Sequence, residues 1–542
     1  MSEFYDAKRH EIKTRIASWD TVNFDDLHMS REEAEQLMWD TCGRWVCPGD
    51  PQYDELRLLF YTNFSDIRPS MIAVCENVAD VQCFLKYLRR SRKRNPKFDF
   101  TPRSGGHSTA GYSTVEGGVM LDLRGLNSIT MDPNQELIHV GPGTQFRDFY
   151  RFLEAHGRFT PAGICPDVRV GGYMQGGGYG FGSRMFGMNC DNVVNLTVVL
   201  ADGSVVQANE NVNPDLFWAM RGGTGNNFGI VTQVTYKTYP APPFGAISMR
   251  WRVGTEAEAQ QGAVALDLMQ RQFMGSNRDP RFGYMALIEF LEEPNGDKVP
   301  YLLMLTMYRG HCGLGSELLQ ELLNTPGCTK DWEKTGSYSY LNTELMSYSE
   351  VYEAPTELPS QEKLSRFVHQ QVGVEGWRQL LDHVRSAESQ FKNLPALNIE
   401  SGGAAIDQTS RGENAYIHRN DDFNAFLNVY WTDEDGDANE EKALKYLYEW
   451  GEIIEQWDNQ EAYQNYPKPY VTDWSARYWA EYYPCLCMVK EKYDPANLFR
   501  FEQSVGADGK CPNNAMDQVR SLLPELAEQL GKSVEYLSPK KE

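Results

Sequence analysis

Residues 161–187 read PAGICPDVRVGGYMQGGGYGFGSRMFG, with nine glycines in 27 positions, and the fold is decided there. Glycine lacks Cβ and reaches positive φ, so such a run lets the backbone approach a phosphate or a flat ring. Three more glycine stretches surround it: RSGGHSTAGYS (103–113), GPG (141–143) and NPDLFWAMRGGTGNNFGIVT (213–232). Their clustering implies a nucleotide cofactor held largely by main chain. None fits G-x-G-x-x-G or the Walker A pattern, which disfavours a Rossmann or P-loop fold.

Working outward, short β-type runs flank these stretches: 118–123, 136–141, 195–208 and 229–236. Asp202-Gly203 sits between two alternating runs and predicts a tight hairpin. Helical patterns cover 77–93 and 144–157, the latter with Thr144 as N-cap. Strands mixed with helices make this half an α+β domain. Pro240-Ala241-Pro242-Pro243 punctuates the chain. Beyond it, strand-like runs at 246–253, 282–290, 301–308 and 425–431 alternate with helical stretches at 256–273, 374–392 and 438–457. That pattern predicts an antiparallel sheet covered by helices on one face. Residues 1–47 read as polar and helical, and 511–542 as a charged amphipathic helix and tail.

Composition narrows the function. The net charge of −23 repels polyphosphate, so nucleic acid is excluded as a partner. The first thirty residues hold no apolar signal core, and no run of 18 apolar residues occurs, so a cytoplasmic protein without a membrane partner is expected. Eleven cysteines, an odd number, point to free thiols rather than a disulfide framework. Cys42 and Cys47 are close enough to pair, but nothing else supports a bridge. Cys485 and Cys487 lack a second ligand pair and read as packing residues, so no metal is expected.

Four segments resemble a known family: RSGGHS, AGICPDV with the GGGYG that follows, DLFWAMRGG with NFGIVT, and VKEKYDPANLFRFEQSV (489–505). Together they are similar to the berberine-bridge-enzyme-like FAD-linked oxidases of the vanillyl-alcohol oxidase superfamily, over about 47–505. The resemblance implies a two-part PCMH-type FAD-binding domain over 1–242 (core about 69–240), to which 463–510 returns. The inserted residues 243–462 would form the substrate domain, and 511–542 a helical tail.

By the same resemblance FAD is bound bicovalently, His107 joining the flavin 8α carbon and Cys165 flavin C6. Further cofactor contacts are implied for Arg103, Ser104, Gly105, Gly106, Ser108 and Gly111. The second stretch contributes Val168, Gly171, Gly172, Gly176, Gly177, Gly178 and Gly180, and Gly229, Ile230, Val231 and Asn465 complete the set. AYQNYPKPY (462–470) is similar to the family's Y-x-N-Y, which makes Tyr466 the first candidate base and Tyr463 the second. A phenol titrates near 10, so a cation is needed to bring it down; Arg169 and Lys468 are the candidates.

Three positions depart from the family pattern. Arg169 stands where glycine is usual, and Tyr482 and Cys485 replace an asparagine and an arginine. Val168 lies where a small branched residue is linked to oxygen access. The implied activity is oxidation of an alcohol or hemiacetal carbon in a carbohydrate or hydroxylated natural product, with O2 giving H2O2, by a monomer or homodimer. Oxidative cyclisation or desaturation of a secondary metabolite by the same flavin is the alternative.

Overall fold

The computed structural model describes residues 9–10, 12–14, 24–275, 278–347, 359–432, 437–469, 471–509, 511–512 and 515–522. The α+β class is borne out, in three main sheets. In the first, the order is β1 (Arg44–Val46), β2 (Met71–Val74), β4 (Val119–Asp122), β3 (Phe100–Arg103). Strands β2, β4 and β3 run parallel, with β1 antiparallel at the edge. Helix α1 (Val78–Arg94), capped by Asn77, makes the crossover that parallel strands require. All four residues of β2 and of β4 are buried.

The second sheet is antiparallel: β5 (Ile129–Met131), β6 (Leu137–Val140), β10 (Ile230–Lys237), β8 (Val193–Val199), β9 (Val205–Ala208). The Asp202-Gly203 hairpin joins β8 to β9, and Leu200 N–H donates to Ser204 C=O at 2.9 Å. Two short strands, β7 (Arg158–Phe159) and β11 (Tyr239–Pro240), pair beside it. Helix α2 (Phe146–Ala155) starts later than its pattern suggests. Its N-cap position is Gln145, and the Thr144 hydroxyl is buried without a partner, so the expected Thr144 cap is not made.

The third sheet is antiparallel, in the order β15 (Cys328–Gly336), β12 (Phe244–Arg252), β14 (Lys298–Arg309), β13 (Phe282–Glu292), β17 (Ala396–Ser401), β18 (Phe423–Trp431), β16 (Ser360–Val368). Its upper face sends Met249, Trp251, Ile288, Leu364, Ile399, Leu427 and Val429 into a core. Helices α3 (Glu256–Phe273), α4 (Gly373–Ser386) and α5 (Asp437–Ile454) cover that core. Helices on one face match the expectation. The lower face divides. Along β12–β14 it carries Ala246, Met285, Leu287, Leu303, Leu305 and Met307, part of the same core as the second sheet. Along β16–β18–β17 it carries Lys363, Ser365, Asn398, Glu400, Asn424 and Asn428, all buried.

The cysteine reading needs one correction. Cys487, assigned to packing, is bonded to Cys511 across 24 residues, tying helix α6 (Tyr483–Tyr493) to the following segment. No disulfide joins Cys42 and Cys47. Of the expected tail, Ala515–Leu522 is helical and 523–542 lie outside the described residues. No helix among the described residues is long and apolar enough to cross a membrane, and no cluster there could hold a metal.

Candidate active site

The floor of the site is two loops pressed together. Arg103 ends β3 opposite Asp122 in β4, and its buried guanidinium pairs with that carboxylate and donates to Leu58 C=O at 3.2 Å. Arg103 therefore pins the RSGGHS loop from below. The turn needs Gly106, at φ +76°. It leads to His107, half-buried and stacked on Phe60 at 4.5 Å between centroids. Burial, then Arg169 and Lys363, bring the imidazole down to about 4. At neutral pH His107 is uncharged, with a nitrogen lone pair available.

The second loop is fixed by the first turn of α2. Phe146 N–H donates to Val168 C=O at 3.1 Å, and Arg147 N–H to Pro166 C=O at 3.0 Å. A Cβ on Gly105 would come 3.2 Å from Arg169 N, and one on Gly171 would come 2.3 Å from Ser104 Oγ. These glycines let the loops touch. Cys165 tops this loop. It is exposed to solvent, yet burial still pushes its thiol up, opposed by Lys363. The thiol thus meets solvent while flanking protein still desolvates it. Gly172 is also exposed, and a Cβ there would meet open space.

These residues fit a flat group attached at two points. A neutral imidazole and an exposed thiol stand on adjoining loops, with clear space before Gly172. The other expected glycines shape this floor. Gly176 has room for nothing beyond hydrogen, since a Cβ would lie 2.0 Å from Asn465 Oδ1. Gly229 leads into β10, whose first two residues are Ile230 and Val231.

The polar half of the third sheet forms the roof. Tyr466 O–H donates to Glu400 Oε1 at 2.8 Å. Asn424 Nδ2 donates to Glu400 Oε2 at 2.9 Å, Ser365 Oγ to Asn424 Oδ1 at 2.7 Å, and Tyr463 N–H to Ser365 Oγ at 3.0 Å. Burial raises Glu400 above the ordinary carboxyl range. Burial and then Glu400 hold the Tyr466 phenol well above its usual value. The phenol is thus protonated and donating, the reverse of the lowered value expected from sequence.

The expected cations lie elsewhere. Arg169 donates to Gly143 C=O, and Lys468 Nζ sits 4.2 Å over the Tyr448 ring. The cation at Tyr466 is Lys363, with Nζ 4.5 Å from the ring centroid. Tyr463 is a strut: its hydroxyl accepts from Gly178 N–H at 2.9 Å and Asn465 Nδ2 at 3.0 Å. Tyr482 donates to Arg411 C=O and Cys485 is buried in the core, so both departures serve packing. Glu400, Lys363 and Asn424 escaped the sequence reading. Their one signal is a polar residue at alternate positions of otherwise β-type runs, as Asn398 and Glu400 are in ALNIES, followed by Gly402-Gly403.

Comparison with known proteins bears on the family and the fold. Residues 69–209 match the "FAD binding domain" family and 462–506 the "Berberine and berberine like" family. The FAD-linked oxidoreductase YgaK of Bacillus subtilis is 27% identical over 474 residues, covering 85% of this chain and 96% of its own. Xylooligosaccharide oxidase of Thermothelomyces thermophilus is 43% identical over 145 residues, covering 26% and 29%. Among solved structures, Physcomitrella patens BBE-like 1 superposes with a TM-score of 0.75 at 24% identity, covering 87% of this chain and 98% of its own. Xylooligosaccharide oxidase from Myceliophthora thermophila, with xylobiose, superposes at 0.74 and 21% identity, with the same coverage. At those identities the two structures speak to the fold.

Proposed function

We propose that this chain, a berberine-type FAD-linked oxidoreductase, binds FAD through both His107 and Cys165 and oxidises a substrate hydroxyl beneath Glu400 and Tyr466. The observation that carries the reading is the Tyr466–Glu400 hydrogen bond, 2.8 Å, near enough to the exposed Cys165 for that thiol to act on the phenol. FAD held by His107 and Cys165 would supply the hydride-accepting chemistry for the carbinol carbon, with O2 as the terminal acceptor and H2O2 as its product.

The chain's own residues handle the proton. The Tyr466 oxygen takes the proton of the substrate hydroxyl while its own passes to Glu400 Oε1. Each oxygen starts and ends neutral except the carboxylate, which is protonated, and the substrate, which has lost H⁺ and hydride. Asn424 and Ser365 hold Glu400 in place. Lys363, over the Tyr466 ring, stabilises negative charge on that oxygen during transfer. The substrate class is an alcohol or hemiacetal carbon of a carbohydrate or hydroxylated natural product.

The test is attachment. The acid-denatured wild type retains flavin and carries the added mass of one FAD. His107→Ala alone retains it through Cys165, and the double variant with Cys165→Ala releases it all. Flavin freed completely from the wild type by acid precipitation refutes the reading.

A further inference from the structure

Two buried side chains on the roof carry a polar atom with no hydrogen-bond partner, Lys363 Nζ and Asn428 Oδ1. Lys363 and Asn428 face each other in the register of β16 and β18, and each is 8% exposed. Among the described residues Lys363 Nζ makes no hydrogen bond and no ion pair; its neighbours are ring faces. The Phe426 and Tyr61 centroids lie 5.1 and 5.9 Å from Nζ, beyond Tyr466. Asn428 Oδ1 also lacks a donor. The carboxylate that acts on it most, Glu400, accepts from Tyr466 and Asn424 and makes no ion pair with Nζ.

Burial lowers Lys363, and Glu400, Cys165 and Glu362 only oppose that through space; an ammonium buried without a direct hydrogen-bond or ion-pair partner is costly, and a buried amide oxygen without a donor adds to the cost. A ligand that removes both penalties carries an oxyanion with a hydroxyl beside or across from it. The three rings around Nζ favour a flat, aromatic body over a saturated one. A neutral sugar brings no charge for the ammonium. In a chain of net charge −23, this enclosed cation is where an anion is held against the general field.

We infer that Lys363 and Asn428 form a receptor for the oxyanion of an aromatic substrate, a carboxylate or acidic phenolate. The inference rests on the proposed reading of this cleft as the flavin site.

Equilibrium binding to the oxidised holoenzyme tests it, read as the shift of the flavin absorbance. The probes are benzoate, 4-hydroxybenzoate and 2-naphthoate, with neutral benzamide as the control. The expected result is saturable binding of at least one anion, with benzamide weaker by about tenfold to a hundredfold, the worth of a hydrogen bond to a charged group. Lys363→Met loses that difference and Lys363→Arg keeps most of it. Asn428→Asp, which gives the ammonium an internal partner, weakens the anions as much as Lys363→Met does. No saturation by any anion, or equal binding of anion and benzamide, overturns the inference. So does unchanged anion binding in Lys363→Met. If Lys363→Met instead weakens sulfite addition to the flavin while anion binding holds, the ammonium serves the cofactor and the inference also fails. Covalent flavin that persists through any of these failures leaves the function proposal intact; flavin lost on denaturation sinks that proposal first.

Discussion

One face of the seven-stranded sheet does two opposite things. Along β12–β14 its downward side chains are Ala246, Met285, Leu287, Leu303, Leu305 and Met307, merged with the core of the second sheet. Along β16–β18–β17 the same face shows Lys363, Ser365, Asn398, Glu400, Asn424 and Asn428. Both halves are buried, so burial alone does not separate them. The first half is buried against protein. The second is buried over a cleft, and its polar groups are joined in a chain ending on Tyr466. A polar strand with every residue buried, as β16 is, signals a site more clearly than its sequence does.

Substitutions on each half sharpen the contrast. On the polar half, Glu400→Gln or Tyr466→Phe lowers the rate of flavin reduction by about 10²–10⁴, with flavin content and folding nearly normal. Stopped-flow reduction with the true substrate reads this, and wild-type speed in both variants breaks the assignment. The same experiment has a pH signature. Glu400 must be ionised to accept a proton, and burial raises its pKa. Reduction therefore slows as pH falls through a value above the ordinary carboxyl range and levels off above it; Glu400→Gln loses this limb. On the apolar half, Leu305→Ala costs about 2–5 kcal/mol of stability, seen as an earlier denaturation midpoint, while the folded fraction reduces its flavin normally. A loss of rate there without a loss of stability would erase the distinction between the halves. Smallest is Tyr463→Phe, which strands two donors, Gly178 N–H and Asn465 Nδ2. It costs about 1–3 kcal/mol of stability and slows reduction far less than Tyr466→Phe.

The floor was legible in the sequence, and the roof was not. Glycine has few uses in dense runs, so 161–187 announced backbone packed near a cofactor, and His107 and Cys165 stood out within such runs. The strands β12, β13, β14 and β18 were visible because apolar residues dominate them. Strand β16, SQEKLSRFV, reads as a polar loop, because polar and charged residues fall on both of its faces and no apolar alternation marks it. Glu400 was hidden for the same reason. Which cation reaches Tyr466 depends on strand register, so Lys468, two residues away in sequence, was a natural candidate, and Lys363, a hundred residues earlier, was not. The Cys487–Cys511 bond was equally unreadable, since parity of the cysteine count says nothing about one pair.

The floor loops come from residues 103–113 and 161–180, and the roof side chains from residues 363–428. Strands β16, β18 and β17 are held to one another by main-chain ladders that ignore the identity of the downward side chains. Exchanging those side chains leaves the ladders and the loops below undisturbed. Descent can therefore act on the two sets at different tempos: a lineage can acquire a new taste in substrate within a few dozen codons while the machinery that keeps its prosthetic group is inherited whole.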